Sequence, residues 1–241
     1  MHIDLLSIIV SLIVFFATVT RSTLGFGGPL ISMPLLTLAV GIETATPLSA
    51  LVASTNAIII LLCNWRSVQI TSAWRLVLAS LLGVPIGLLF LKGAYEGVVK
   101  AVLAVVIISF SLYSLTKPRL VTLASEKSAY LFGFVAGILG GAYNTNGPPI
   151  VVYGTLRKWP SESFKATLQG YFFPTGLFIL FGHGLGGLWT PSMLHFYLIS
   201  LPFVFLAFIV GTRLNRSIPS GKFDRLVHVF LIGIGVMLLL K

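Results

Sequence analysis

The stretch GGAYNTNGPPIVVYG, Gly140 to Gly154, decides how the rest of the chain is read. It sets Asn144, Thr145 and Asn146 between two apolar runs and follows them with Gly147, Pro148 and Pro149. Proline has no amide hydrogen and glycine leaves the backbone loosely held, so the chain leaves one helix here and starts another near Pro148. At membrane depth such backbone survives only where protein buries it or water reaches it. An earlier stretch, LGFGGPLISMPLL from Leu24 to Leu36, repeats the grammar, with Gly27 and Gly28 ahead of Pro29. Aligning Gly25 with Gly140 brings Pro34 onto Pro149, an offset of 115 residues. The two breaks read as the halves of one binding site.

Outside the breaks the chain is uniformly apolar. Of its 241 residues 56% are hydrophobic and 9% charged, too little charge to cover a soluble domain of that size. The reading is an all-α, polytopic membrane protein forming one integral membrane domain. MHIDLLSIIV lacks a basic start and a small-residue cleavage site, so it reads as a retained first helix. Cys63, the single cysteine, sits in an apolar run and reads as a buried thiol.

Ten apolar segments follow one another, at 4–20, 29–40, 46–63, 75–91, 98–115, 128–141, 148–156, 165–182, 193–211 and 225–240. If the chain changes side at each, the odd-numbered loops collect Arg21, Arg66, Arg75, Lys117, Arg119, Lys127, Arg157, Lys158, Lys165, Arg213, Arg216, Lys222 and Arg225. These are thirteen of the sixteen basic residues. Cytoplasmic loops attract Lys and Arg, which puts the odd loops inside and both termini outside. The net charge of +10 therefore reads as membrane topology, and no nucleic acid is expected.

Five segments per half is an odd number, so the second half enters the membrane from the opposite side. Residues 1–116 and 128–241 read as two inverted-topology repeats joined by a cytoplasmic linker, 117–127; Gly83 and Gly211, 128 apart, echo one another. Segments 29–40 and 148–156 are too short for a bilayer core of about 30 Å and read as half-helices meeting near the midplane.

Two helix N-termini facing one cavity, at Gly27–Gly28 and at Asn146–Gly147, bring free amides and positive dipole ends to an anion. Asn144, Thr145 and Asn146 add side-chain donors. The bland alternative is that the glycines only let helices pack closely. Arg21, just ahead of the first break, either offers the anion a fixed charge or snorkels to the interface. Asn56, in SALVASTNAIII, and Gln169, in TLQGYFF, either touch substrate or hold helices together. Tyr143, Tyr153 and Tyr171 read as packing or interface residues. Asp4, Glu43, Glu96, Glu126, Glu162 and Asp224 all fall at segment ends or in loops, so no carboxylate relay for a coupling ion can be assigned. His2, His183, His195 and His228 are scattered without a metal-site spacing, and no phosphate loop is present; neither metal nor cofactor is expected. Ser192 and His195, in TPSMLHF, are three apart, but read as the start of a helix and not as a nucleophile pair.

The paired signatures GFGGPLISMPLL and GILGGAYNTNGPPIVVYG resemble the sulfite exporter TauE/SafE family over essentially the whole chain. The resemblance implies transport of small sulfur-containing anions across the prokaryotic cytoplasmic membrane. It places Gly25, Gly27, Gly28 and Pro34 at one family motif and Gly140, Gly141, Gly147, Pro148 and Pro149 at the other. Where the family's second motif often carries more glycine, this chain has Tyr143, Asn144 and Asn146, a change that suits a substrate with an additional polar group, such as sulfoacetate. The reading is a secondary transporter of sulfite, sulfoacetate or related organosulfonates working by alternating access; the rivals are an anion channel of the same fold and an intramembrane enzyme. Its expected partners are the small anion, membrane lipid and, as a homodimer, a second copy of the chain.

Overall fold

The computed structural model describes residues 4–64, 70–116, 123, 125–159, 161–217 and 220–240. Among these described residues ten helices run in order: α1 Leu5–Leu24, α2 Gly28–Val40, α3 Ile42–Asn64, α4 Ile70–Gly93, α5 Glu96–Thr116, α6 Ser128–Tyr143, α7 Gly147–Leu156, α8 Ser161–Leu185, α9 Pro191–Ser217 and α10 Ser220–Leu239. Each apolar segment of the sequence is one helix, and the helices outrun the segments because their ends are polar. Arg75, for example, lies in the second turn of α4. Five stretches, Leu5–Leu24, Ile42–Leu62, Ala73–Gly93, Glu96–Thr116 and Pro191–Leu214, are long and apolar enough to cross a membrane. With 13 and 10 residues, α2 and α7 are helices of about 20 and 15 Å against a bilayer core of about 30 Å.

The distribution of polarity is that of a protein solvated by lipid. Large apolar side chains face outward, Leu82, Leu89, Phe181 and Phe230 among them, whereas Arg21, Asn56, Asn144, Gln169, Thr175 and His183 are buried. Cys63 lies in the last turn of α3, and its side chain is outside what the structure describes.

Packing comes in matched pairs: α1 lies against α9 and α6 against α4, α3 against α9 and α8 against α4, while α3 meets α8 and α5 meets α10. The seam between α4 and α6 is the tightest. Gly133, Gly137 and Gly141 follow at every fourth residue on α6, facing Gly83 and Gly87 on α4. A Cβ on Gly137 would lie 2.3 Å from the Ser80 carbonyl, and one on Gly141 2.2 Å from that of Val84, so the backbones touch. Gly211 of α9 sits likewise on α1, 2.7 Å from the Val19 carbonyl for a Cβ built there. Ser80 Oγ adds a side-chain clasp, donating to Gly133 O at 2.7 Å and lying 2.7 Å from the Tyr171 hydroxyl of α8.

Charged groups gather at the ends. Glu126, just before α6, pairs with Arg75 at the start of α4 and with Arg157 after α7, whose Nη1 also donates to Leu123 O at 2.8 Å. At the other end of α4, Lys92 Nζ donates to Gly186 O, beyond α8, at 2.7 Å. Asp4 caps α1, accepting from Ser7 N at 2.8 Å, and this bond holds its carboxyl below the ordinary carboxylate range.

Candidate functional site

The two breaks are built alike. Gly25, at φ 84°, ends α1 with its amide donating to Arg21 O at 2.7 Å. Asn144, at φ 50°, ends α6 with its amide donating to Gly140 O at 2.8 Å. Both are left-handed caps, a conformation open to glycine and tolerated by asparagine. Three residues later α2 starts at Gly28 and α7 at Gly147, each with proline in its first turn. The matching positions are therefore Gly25 with Asn144, Gly28 with Gly147 and Pro29 with Pro148. That offset, 119, replaces the 115 obtained by matching residue types. Pro34, matched to Pro149 by type, is no break at all: it lies inside α2, whereas Pro149 is in the first turn of α7.

Gly140 and Gly141 are also helical and lie in the last turn of α6, ahead of the break. A Cβ on Gly140 would lie 2.8 Å from Ile179 Cδ1 and 3.3 Å from Asn146 Cβ, so this glycine makes room for Asn146. Gly141 belongs to the α4 seam. Gly28 does for Arg21 what Gly140 does for Asn146, since its Cβ would stand 3.2 Å from Arg21 Cβ.

The breaks meet. Gly27, Pro29 and Leu30 from the first, and Thr145, Asn146, Gly147 and Pro148 from the second, line one small cavity together with Arg21 and Phe172. A second cavity on the other side of Arg21 is lined by Thr18, Gly28, Ser32, Ser49 and Asn56 among others. Each measures about 10 Å³, the space of one water. Arg21 borders both.

Arg21 is 3% exposed. Its Nη2 donates to Gln169 Oε1 at 3.1 Å, while Gln169 Nε2 donates to Gly25 O at 2.7 Å, so α8 clamps the end of α1 and its guanidinium together. The guanidinium also lies over the Phe172 ring, 5.1 Å from its centroid. It is held inside the protein and does not snorkel. Nε has no partner and, among the described residues, no carboxylate pairs with the group. Across the second cavity Asn56 Nδ2 donates to Thr18 Oγ1 at 3.2 Å, and its Oδ1 is likewise without a partner.

The side chains of the second break face inward. Asn144 Nδ2 donates to Ser49 Oγ at 3.3 Å, and Ser49 is 2.9 Å from Ser32, which ties this break to the cavity beside Arg21. Asn146 caps α7 by position without a side-chain bond to its amides; its Nδ2 reaches Thr175 Oγ1 at 3.5 Å. Thr145 Oγ1 turns back onto Tyr143 O at 2.9 Å. Pro148 and Pro149 remove two of the amides that a helix start ordinarily offers, so at α7 the Asn146 side chain and the dipole carry more of the anion-directed field.

Several contributors carry no local sequence signal. Ser32, Ser49, Thr18 and Phe172 join the site only through tertiary packing. His183 Nε2, 3.0 Å from Gly141 O, must carry the proton there because a carbonyl only accepts; it ties α8 to the turn ahead of the break. Of the tyrosines, Tyr171 is bound to Ser80, Tyr153 packs among Phe132 and Trp159, and Tyr143 stacks edge-on against Phe90 with its hydroxyl unpartnered. Ser192 is remote from all of this. Its hydroxyl lies 3.0 Å from that of Thr190, which caps α9 by accepting from Met193 N at 3.2 Å, so the pair sits at a helix start.

A family model described as sulfite exporter TauE/SafE matches residues 10–238, both breaks included. The chain belongs to the sulfite exporter TauE/SafE family. No curated protein and no solved structure matches it. Membership in TauE/SafE makes the chain an integral membrane protein of a transporter family, in agreement with its apolar exterior. The buried Arg21 and the starts of α2 and α7 lie in the interior of this membrane protein.

Proposed function

We propose that this TauE/SafE protein is a secondary transporter that exports small sulfur-containing anions, sulfite, sulfoacetate or a related organosulfonate, with the anion bound at Arg21 between the two breaks. The observation that carries the reading is a buried guanidinium held by neutral partners, with one nitrogen unsatisfied, at the point where the N-termini of α2 and α7 meet. A cation in an apolar interior without a counter-charge is costly, and a sulfonate or sulfite supplies both charge and acceptor oxygens. Arg21, Asn56, Asn144, Thr145 and Asn146 are the proposed side-chain contacts, with Gly27, Gly28 and Gly147 lending backbone; Gln169 positions Arg21.

Alternating access suits this arrangement better than a continuous filter, since each cavity beside Arg21 has room for about one water and neither is wide enough for an organosulfonate. Inverted repeats supply the second state. Renaming α1–α5 as α6–α10 carries each of the main packing pairs onto another or onto itself; the seam partner of Gly211 is then Gly87, which meets Ile138 O as Gly211 meets Val19 O, and not Gly83, the glycine paired with it by type. The proposed orientation, in the inner membrane with both termini outside, rests on the loop charges; Arg21, being interior, leaves that count, and the other twelve residues keep the bias. A reporter active only outside the cytoplasm should work when fused to either terminus, and activity restricted to cytoplasmic reporters would reverse the orientation.

Purified protein titrated in parallel with sulfite, sulfoacetate, thiosulfate and a sulfur-free dicarboxylate should bind one sulfur anion saturably. Asn146→Ala should weaken that binding by about tenfold, the loss of one hydrogen bond to a charged ligand. Binding to none of the four, or equal binding to all, would remove the proposed substrate class. Unchanged affinity in Asn146→Ala would remove the second break from the site.

A further inference from the structure

The outer surface carries a groove that none of the proposed anion contacts lines. It measures about 630 Å³ and lies between α1, α2, α9 and α10, with Ile9, Leu12 and Phe16 on the α1 side and Leu226 and Phe230 on the α10 side. Along α1 it runs from Ile9 to Thr20, about 16 Å at helical rise. That is the hydrocarbon depth of one leaflet, half of about 30 Å. At the start of α10 the groove adjoins a second hollow of about 650 Å³, which shares Leu226 and Phe230 and adds Arg225, an exposed residue, at the rim. In the sequence, RLNRSIPSGKFDR from Arg213 to Arg225 carries four basic residues against Asp224 alone.

An apolar slot one leaflet deep with a cationic rim matches a phospholipid with a negative headgroup. A second copy of the chain fits less well, because a two-fold contact across the groove would set one basic rim against another. We infer that the groove seats one acyl chain of an anionic phospholipid, with its phosphate at Arg225.

The test uses the full chain, purified and offered equal amounts of phosphatidylglycerol and phosphatidylcholine, with retained lipid counted by native mass spectrometry. The wild type should retain phosphatidylglycerol preferentially. Arg225→Gln should lower that preference about fivefold, the effect of one basic residue near an anionic surface, while phosphatidylcholine retention persists. Leu12→Trp, at a position 46% exposed and so free of core packing, should fill the groove and reduce retention of both lipids without lowering the melting temperature. Equal retention of the two lipids by the wild type overturns the inference, as does a preference that survives both substitutions. A wild-type dimer that Leu12→Trp splits into monomers overturns it too, because the groove's occupant is then a second chain.

Discussion

Arg21→Gln should lower anion affinity by about thirtyfold or more and leave the unliganded protein at least as stable as the wild type. The two halves of this result have one cause. Removing one member of a buried, hydrogen-bonded charge pair costs roughly 2–5 kcal/mol of binding, which corresponds to about thirtyfold to several thousandfold in affinity. Without the anion, however, the guanidinium is a buried charge facing an amide, a ring and, among the described residues, no carboxylate. These contacts offset its desolvation only in part, so a shorter, neutral residue relieves a burden on the empty fold. Glutamine ends at about the position of Nε, so it removes the charge while keeping the aliphatic stem and an uncharged amide. Isothermal titration with the preferred sulfur anion, beside melting curves with and without it, reads both effects. Wild-type affinity in the variant would remove Arg21 from the site, and a large drop in the unliganded melting temperature would make it a structural residue.

Arg21→Lys separates charge from geometry. Lysine keeps the charge but lacks the planar fork that spans Gln169 and an anion together, so affinity should fall between those of the wild type and Arg21→Gln. Gln169→Ala should act through Arg21, weakening binding because the clamp from Gly25 O to the guanidinium is lost.

Much of this was legible in the sequence because the relevant signals are local. Ten apolar runs become ten helices. Glycine followed by proline marks the starts of α2 and α7 to within a residue, since proline at a first helical turn forfeits nothing. The register between the halves was hidden, because the same left-handed cap is made by Gly25 in one and Asn144 in the other, and matching by residue type slides one break past its partner. The partners of Arg21 were hidden for another reason. Gln169 lies 148 residues away, and which of several buried polar groups reaches the guanidinium is decided by how α8 crosses α1. The spacing of Gly133, Gly137 and Gly141 announces a packed seam, but the sequence does not say that α4 fills it.

That seam carries the largest expected effect on stability. Gly87→Ala adds a single methyl, yet its carbon would lie 2.0 Å from the Ile138 carbonyl oxygen and 2.9 Å from Ala142 N. Both are backbone atoms of α6, so no side chain can turn aside and the helices must part. Overpacking in a well-packed interior typically costs about 1–3 kcal/mol, and a backbone-on-backbone clash belongs at the top of that range or above it. Parting α4 from α6 also disturbs the Ser80 clasp on Gly133 and the turn that carries Asn144, so anion binding should fall with stability. Gly233→Ala is the control: its Cβ meets nothing within 4 Å, and alanine is the better helix former by up to about 1 kcal/mol. Thermal unfolding in one detergent should therefore place Gly87→Ala well below the wild type and Gly233→Ala level with it or above. If Gly87→Ala melts with the wild type, α4 and α6 are not in backbone contact, and the matched helix packing proposed for the two halves loses its tightest pair.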